Sequence, residues 1–154
     1  MASKPKKEPI MNSKIPAYQE LTIMIVDDDD VDALGVERAL KQLKILNRTI
    51  RAKDGQEGLA MLKDGVSVPK PFLILLDINM PRMSGLEMLA ELRKDENLAN
   101  ALVFILTTSR REEDIFIAYK ENVTGYIVKS RIADDFIRVI GMLDHFWRVI
   151  ELPT

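Results

Sequence analysis

The sequence predicts an α/β fold, a doubly wound five-stranded parallel sheet with strand order 2-1-3-4-5. Apolar runs of strand length alternate with amphipathic stretches, and turn or capping residues punctuate the alternation. Leu21–Val26, Phe72–Leu76 and Leu102–Leu106 are almost continuously apolar, as parallel strands covered on both faces must be, and they are expected to be central. Arg48–Ala52 alternates polar with apolar and Gly125–Val128 is short, which suits the sheet edges. Between the first two strands Ala33, Val36, Leu40 and Leu43 recur at helical spacing. Asp54-Gly-Gln-Glu57, Ser84-Gly-Leu-Glu87 and Ser109-Arg-Arg-Glu112 each read as a capping box that opens a helix. A last helix is expected from about Ile132 to Ile150. Right-handed crossovers place the helices on both faces, and five such units favour the order 2-1-3-4-5, with its switch point between strands one and three. Ligands bind outside the carboxyl ends of such strands, so the residues after Val26, Leu76, Leu106 and Val128 should surround one crevice.

Composition bounds the chemistry. The chain has 154 residues, 47 % apolar and 30 % charged, the profile of one globular domain. The absence of Cys excludes disulfide scaffolds, thiolate metal sites and thiol nucleophiles, and one His leaves little for imidazole metal sites. With 22 basic and 24 acidic residues the net charge is −2, too balanced for a broad phosphate-binding surface, so nucleic acid is not an expected partner. Nowhere are there the roughly 20 consecutive apolar residues of a membrane span, and a cytoplasmic location is expected. Residues 1–20 carry Lys4, Lys6, Lys7, Lys14 and three prolines and read as a flexible, solvated basic tail. The domain should then run over residues 21–152, with no room for an output domain.

The strand ends carry the chemistry. Asp27-Asp28-Asp29-Asp30-Val31-Asp32 puts five carboxylates within six residues. Capping and the positive field of a helix N-terminus account for Asp30 and Asp32. Asp27 and Asp28, at the end of a buried strand, would repel each other unless a cation neutralises them. A hard divalent ion such as Mg²⁺, which prefers oxygen ligands, is the natural counter-charge. Asp77 follows the most apolar strand beside the switch point and adds a third carboxylate. It can also serve as a nucleophile toward phosphorus; the alternative is an Asx-turn aspartate leaving a strand. Thr107 follows Leu106 and Lys129 follows Val128. A hydroxyl and an ammonium provide the electrostatic stabilisation that phosphoryl transfer needs.

Val26-Asp27-Asp28, Asp77-Ile-Asn-Met-Pro-Arg-Met-Ser-Gly85, Leu106-Thr107-Thr108-Ser109 and Gly125-Tyr-Ile-Val-Lys129 together resemble the receiver domain of two-component response regulators, over about Leu21 to Ile150. Thr107 stands 30 positions after Asp77, and Lys129 stands 22 after Thr107, a spacing similar to the family's. The resemblance implies a flavodoxin-like receiver fold in which Asp77 accepts a phosphoryl group from a phosphohistidine on a sensor kinase. It implies that Asp28, Asp77 and the backbone carbonyl of Asn79 hold Mg²⁺ directly, with Asp27 acting through a metal-bound water. Thr107 and Lys129 would bind phosphoryl oxygens. Tyr126 would be the aromatic that turns inward as Thr107 moves; the other reading of Tyr126 is an edge-strand aromatic covering the core. The protein would be a signalling phosphoacceptor rather than an enzyme in the ordinary sense.

Within the last helix Phe136, Ile140, Leu143, Trp147 and Ile150 form one apolar stripe, and Val139, Met142, Phe146 and Val149 form a second about 100° away. The second stripe, with Trp147, is expected to be an interface. The ending from Phe146 to Pro153 resembles that of stand-alone regulators paired with bacteriophytochrome kinases, which implies a homodimer. Two rivals are kept. Asp27-x-Asp29 after a strand resembles the nucleophile motif of haloacid-dehalogenase-type phosphatases, with Asp27 as nucleophile, although this leaves Asp77-x-x-Met-Pro unexplained. A receiver-like module that binds partners without phosphorylation is the other. An EF-hand fails because Ala33 and Ala39 stand at its required Gly and Glu positions.

Two positions depart from the family pattern. Lys129 is followed by Ser130 rather than the usual Pro; a cis bond there without Pro would cost about 3–4 kcal/mol, so Ser130 is expected to cap the last helix instead. Thr108 stands where the family often has Ala or Gly, and its branched side chain would narrow access to the phosphoryl group. Thr108→Ala is therefore expected to accelerate phosphorylation by small phosphodonors, measured as the rate of aspartyl-phosphate formation; an unchanged rate would remove this gating role.

Overall fold

The computed structural model describes residues 21–78, 80–108 and 123–138. The basic tail, Asn79, the helix expected to open at Ser109, and Val139, Met142, Phe146, Trp147 and Val149 lie outside the described residues.

Five strands, β1 (Thr22–Val26), β2 (Thr49–Ala52), β3 (Phe72–Asp77), β4 (Leu102–Thr107) and β5 (Gly125–Val128), form one sheet in the order β2-β1-β3-β4-β5. Every neighbouring pair is parallel. All of β1 is buried, as is all but the first residue of β3 and of β4, whereas β2 and β5 are partly exposed. The continuous apolar runs thus became the centre and the broken or short ones the edges. The observed β3 and β4 extend one residue further than their apolar runs, so Asp77 and Thr107 belong to the ladder itself.

Alternation along each strand divides the core into two layers. Met24, Val26, Ile74, Leu76, Val103 and Ile105 face Leu59 and Leu62 of α2 (Gly55–Lys63) and Met88, Leu89 and Leu92 of α3 (Gly85–Lys94). Ile23, Ile25, Leu73, Leu75, Phe104, Leu106 and Ile127 face Ala33, Val36 and Leu40 of α1 (Asp30–Gln42), together with Phe136 from the helical segment 132–138. Leu43, the last position of the predicted α1 stripe, is the C-cap and packs at the margin of this layer.

The helix starts are built by side chains. Ser84 and Glu87 form the reciprocal capping box read from the sequence. At α2 the Asp54 carboxylate accepts from Glu57 N at 2.8 Å, but the Glu57 carboxylate reaches past the cap to Lys53 N at 2.6 Å. At α1 the N-cap is Asp29, which accepts from Asp32 N at 3.0 Å, while Asp30 and Asp32 stand in the first turn. There each carboxylate meets the positive end of the helix.

The start of α3 lies against the end of β3. Gly85 N donates to Ile78 O at 3.0 Å, and a Cβ on Gly85 would stand 2.3 Å from the Asp77 carbonyl oxygen. Gly85→Ala is accordingly expected to lower the unfolding free energy by about 1–3 kcal/mol. Gly35→Ala, inside α1 where an added Cβ meets nothing within 4 Å, is expected to raise it by about 0.5–1 kcal/mol. Urea unfolding of the two variants checks the opposite signs.

Candidate functional site

The strand registers bring the predicted residues to one edge of the sheet. Val26 pairs with Leu76, so Asp27 and Asp77 follow side by side from β1 and β3. Asp77 pairs with Leu106 and Thr107 pairs with Val128, which sets Thr107 and Lys129 next in line. Asp27, Asp77 and Thr107 are buried, whereas Asp28 is exposed.

Carboxylate oxygens of Asp27, Asp28 and Asp77 all lie within 4.8 Å of one another. Asp27 Oδ1 accepts from Asp29 N at 2.9 Å. Its other oxygen, Oδ2, is buried and makes no hydrogen bond; the Lys129 ammonium beside it at 3.1 Å is an ion-pair contact. Lys129 Nζ is also 3.0 Å from Asp77 Oδ1 and 2.8 Å from Asp32 Oδ2. Three hard oxygen donors on separate side chains, one of them buried without a hydrogen bond, fit a divalent cation that takes carboxylates.

Crowding and burial set the charge states. The Asp77 carboxyl is pushed up to about 6, chiefly by burial and then by the neighbouring Asp27 charge, against the opposing pull of Lys129. Burial likewise raises Asp27. For Lys129 burial works against the charge, but the hydrogen bond to Asp32 and the charges of Asp77 and Asp27 outweigh it and hold the ammonium above its ordinary value.

Two residues with no sequence motif of the site, Asp32 and Arg51, also reach it. Sequence alone places Asp32 in the helix field, yet it makes the shortest of the three Lys129 contacts. Its position four residues after Asp28 was the available signal. Arg51, on edge strand β2, donates from Nε and Nη2 to the Asp27 carbonyl at 2.9 and 2.6 Å and pairs with Asp30 at 3.0 Å. An Arg in an alternating edge strand carries no sequence signal for this clamp.

Behind Lys129, the expectation for Ser130 is corrected. Ser130 lies inside a 3₁₀ turn, Lys129–Arg131, which follows Val128 without a side-chain cap. Among the described residues the one cis peptide bond is Lys70–Pro71, so Lys129–Ser130 is trans. Buried Asp135 does the anchoring instead, accepting from Val128 N at 2.8 Å and pairing with Arg138 and Arg131. Tyr126 is 45 % exposed on β5. Thr108 is exposed just beyond the end of β4.

Residues 23–140 match the family model for the response regulator receiver domain. The chain belongs to this family. Receivers are the phosphoacceptors of two-component signalling; they bind a divalent metal and are served by a histidine kinase. The curated response regulator Rcp1 of Synechocystis sp. is 34 % identical over 136 residues, which cover 86 % of this chain and 92 % of that protein. Among solved structures, the bacteriophytochrome response regulator RtBRR has a TM-score of 0.73 at 32 % identity, covering 87 % of this chain and 84 % of that one. The Mn²⁺-bound form of Rcp1 has a TM-score of 0.63 at 33 % identity, covering 87 % and 99 %. The phosphatase reading of Asp27 falls with the family match. No helix among the described residues is long and apolar enough to cross a membrane.

The raised Asp77 value sets a pH dependence for the metal-free receiver. Folded Asp77 keeps its proton up to about pH 6, whereas in the unfolded chain the value is the ordinary 3.8, so ionising it between these limits destabilises the fold. In chelator, the stability of Asp77→Asn relative to the native chain is expected to rise by about 1–3 kcal/mol from pH 4 to pH 7. Urea unfolding at several pH values measures this difference; a flat profile would contradict the crowded, buried carboxylate.

Proposed function

We propose that this receiver is a stand-alone response regulator in which Asp77 accepts a phosphoryl group from a phosphohistidine of a bacteriophytochrome-type sensor kinase. The observation that carries the reading is Lys129 Nζ, 3.0 Å from Asp77 Oδ1 within a set of three carboxylates that fit a hard cation. Asp27, Asp28 and Asp77, with the Asn79 carbonyl, would hold Mg²⁺, which supplies the positive charge that lets phosphoryl oxygens approach an anionic nucleophile.

An Asp77 carboxylate oxygen forms the new O–P bond as the N–P bond of the phosphohistidine breaks and the imidazole departs with that electron pair. Lys129 pairs with one phosphoryl oxygen and the Thr107 hydroxyl donates to another. Acquiring about −1.5 to −2 charge beside these groups favours the arrangement that draws both inward. Tyr126, exposed here on β5, then turns toward the space that Thr107 vacates and alters the surface offered to a partner. Self-association through Val139, Met142, Phe146, Trp147 and Val149 and a cytoplasmic location complete the reading.

Mass spectrometry of the intact chain and its peptides after incubation with Mg²⁺ and acetyl phosphate tests it. One added phosphoryl group, dependent on Mg²⁺ and absent from Asp77→Asn, is the expected result. Modification at Asp27 would contradict the assignment of the nucleophile. No modification from acetyl phosphate or a histidine kinase would leave a phosphorylation-independent interaction module.

A further inference from the structure

An ammonium has three N–H donors, and Lys129 Nζ faces three carboxylates: Asp32 Oδ2 at 2.8 Å, Asp77 Oδ1 at 3.0 Å and Asp27 Oδ2 at 3.1 Å. Asp77 and Asp27 belong to the set whose oxygens converge for a divalent ion, and Asp32 lies outside that set. A divalent ion and an ammonium compete for the same oxygens, and within a buried site their mutual repulsion is weakly screened. When the ion takes Asp27 and Asp77, Lys129 either swings toward solvent or stays on a carboxylate the ion does not use.

We propose that Asp32 is a positioning residue that retains the Lys129 ammonium at the site when a divalent ion displaces it from Asp27 and Asp77. This rests on the reading of Asp27, Asp28 and Asp77 as ligands. Asp32 is well placed for the task. Its backbone N–H is fixed to the Asp29 side chain at 3.0 Å in the first turn of α1, where the helix field favours a carboxylate. It is only partly exposed, and its hydrogen bond to Lys129 joins the start of α1 to the end of β5, 97 residues apart. At the far side, Asp135 secures the Val128 backbone from which the lysine projects. Asp32 thus lowers the cost of exchanging one counter-charge for another and leaves Lys129 within reach of a phosphoryl oxygen.

The test is calorimetric titration of Mg²⁺ into four chains: native, Asp32→Asn, Lys129→Met and the double variant. Asp32→Asn is expected to weaken Mg²⁺ binding about tenfold with Lys129 present, and by less than about threefold in the Lys129→Met background. Equal losses in both backgrounds would make Asp32 merely a nearby negative charge and overturn the proposal. Absence of Mg²⁺ binding by the native chain is a different result; it would overturn the reading of the carboxylate site and this role with it. Thermal unfolding confirms that each chain is folded, and Lys129→Gln replaces Lys129→Met as the background if the methionine variant is not.

Discussion

Asp27 and Asp77 are buried side by side at the carboxyl edge of the sheet, and two adjacent carboxylates removed from water require a positive charge between them. The backbone cannot relieve the crowding, because both residues are fixed by strands whose apolar side chains fill the two core layers. A cation has to come to the carboxylates. Lys129 fills that need from the end of β5, and a divalent ion can fill it through the same oxygens together with Asp28.

The surrounding groups bond the backbone of that edge from several sides. Arg51 holds the Asp27 carbonyl and Asp30, so the acidic run is clamped from edge strand β2. Gly85 lets the start of α3 lie directly against the Asp77 carbonyl, and Arg82 ties the same connection to the α2 N-cap through Asp54 at 2.9 Å. On the other side Asp135 fixes the Val128 backbone.

Much of this was legible in the sequence because it depends on local pattern. Continuous apolar runs marked the central strands, and right-handed crossovers then placed Asp27, Asp77, Thr107 and Lys129 at one edge without any distance being known. The partners of Lys129 were less legible. Asp32 looks like any acidic residue in a first turn, and only the three-dimensional path of Lys129 reveals a second duty. Arg51 and Asp135 act on backbone groups distant from them in sequence or across a turn, and such contacts leave no spacing rule. Glu57 and Ser130 show the limit of motif reading: the residue types suit capping, but one side chain bonds a residue earlier and the other lies inside a 3₁₀ turn.

The most direct measurement of the central claim is the effect of Mg²⁺ on thermal unfolding at pH 7.5 for the native chain and Asp77→Asn. If the buried carboxylates form one cation-binding unit, the native midpoint rises with Mg²⁺ as ligand linkage requires, and the variant shows a much smaller rise. Equal shifts in both chains, or none in the native chain, would contradict it.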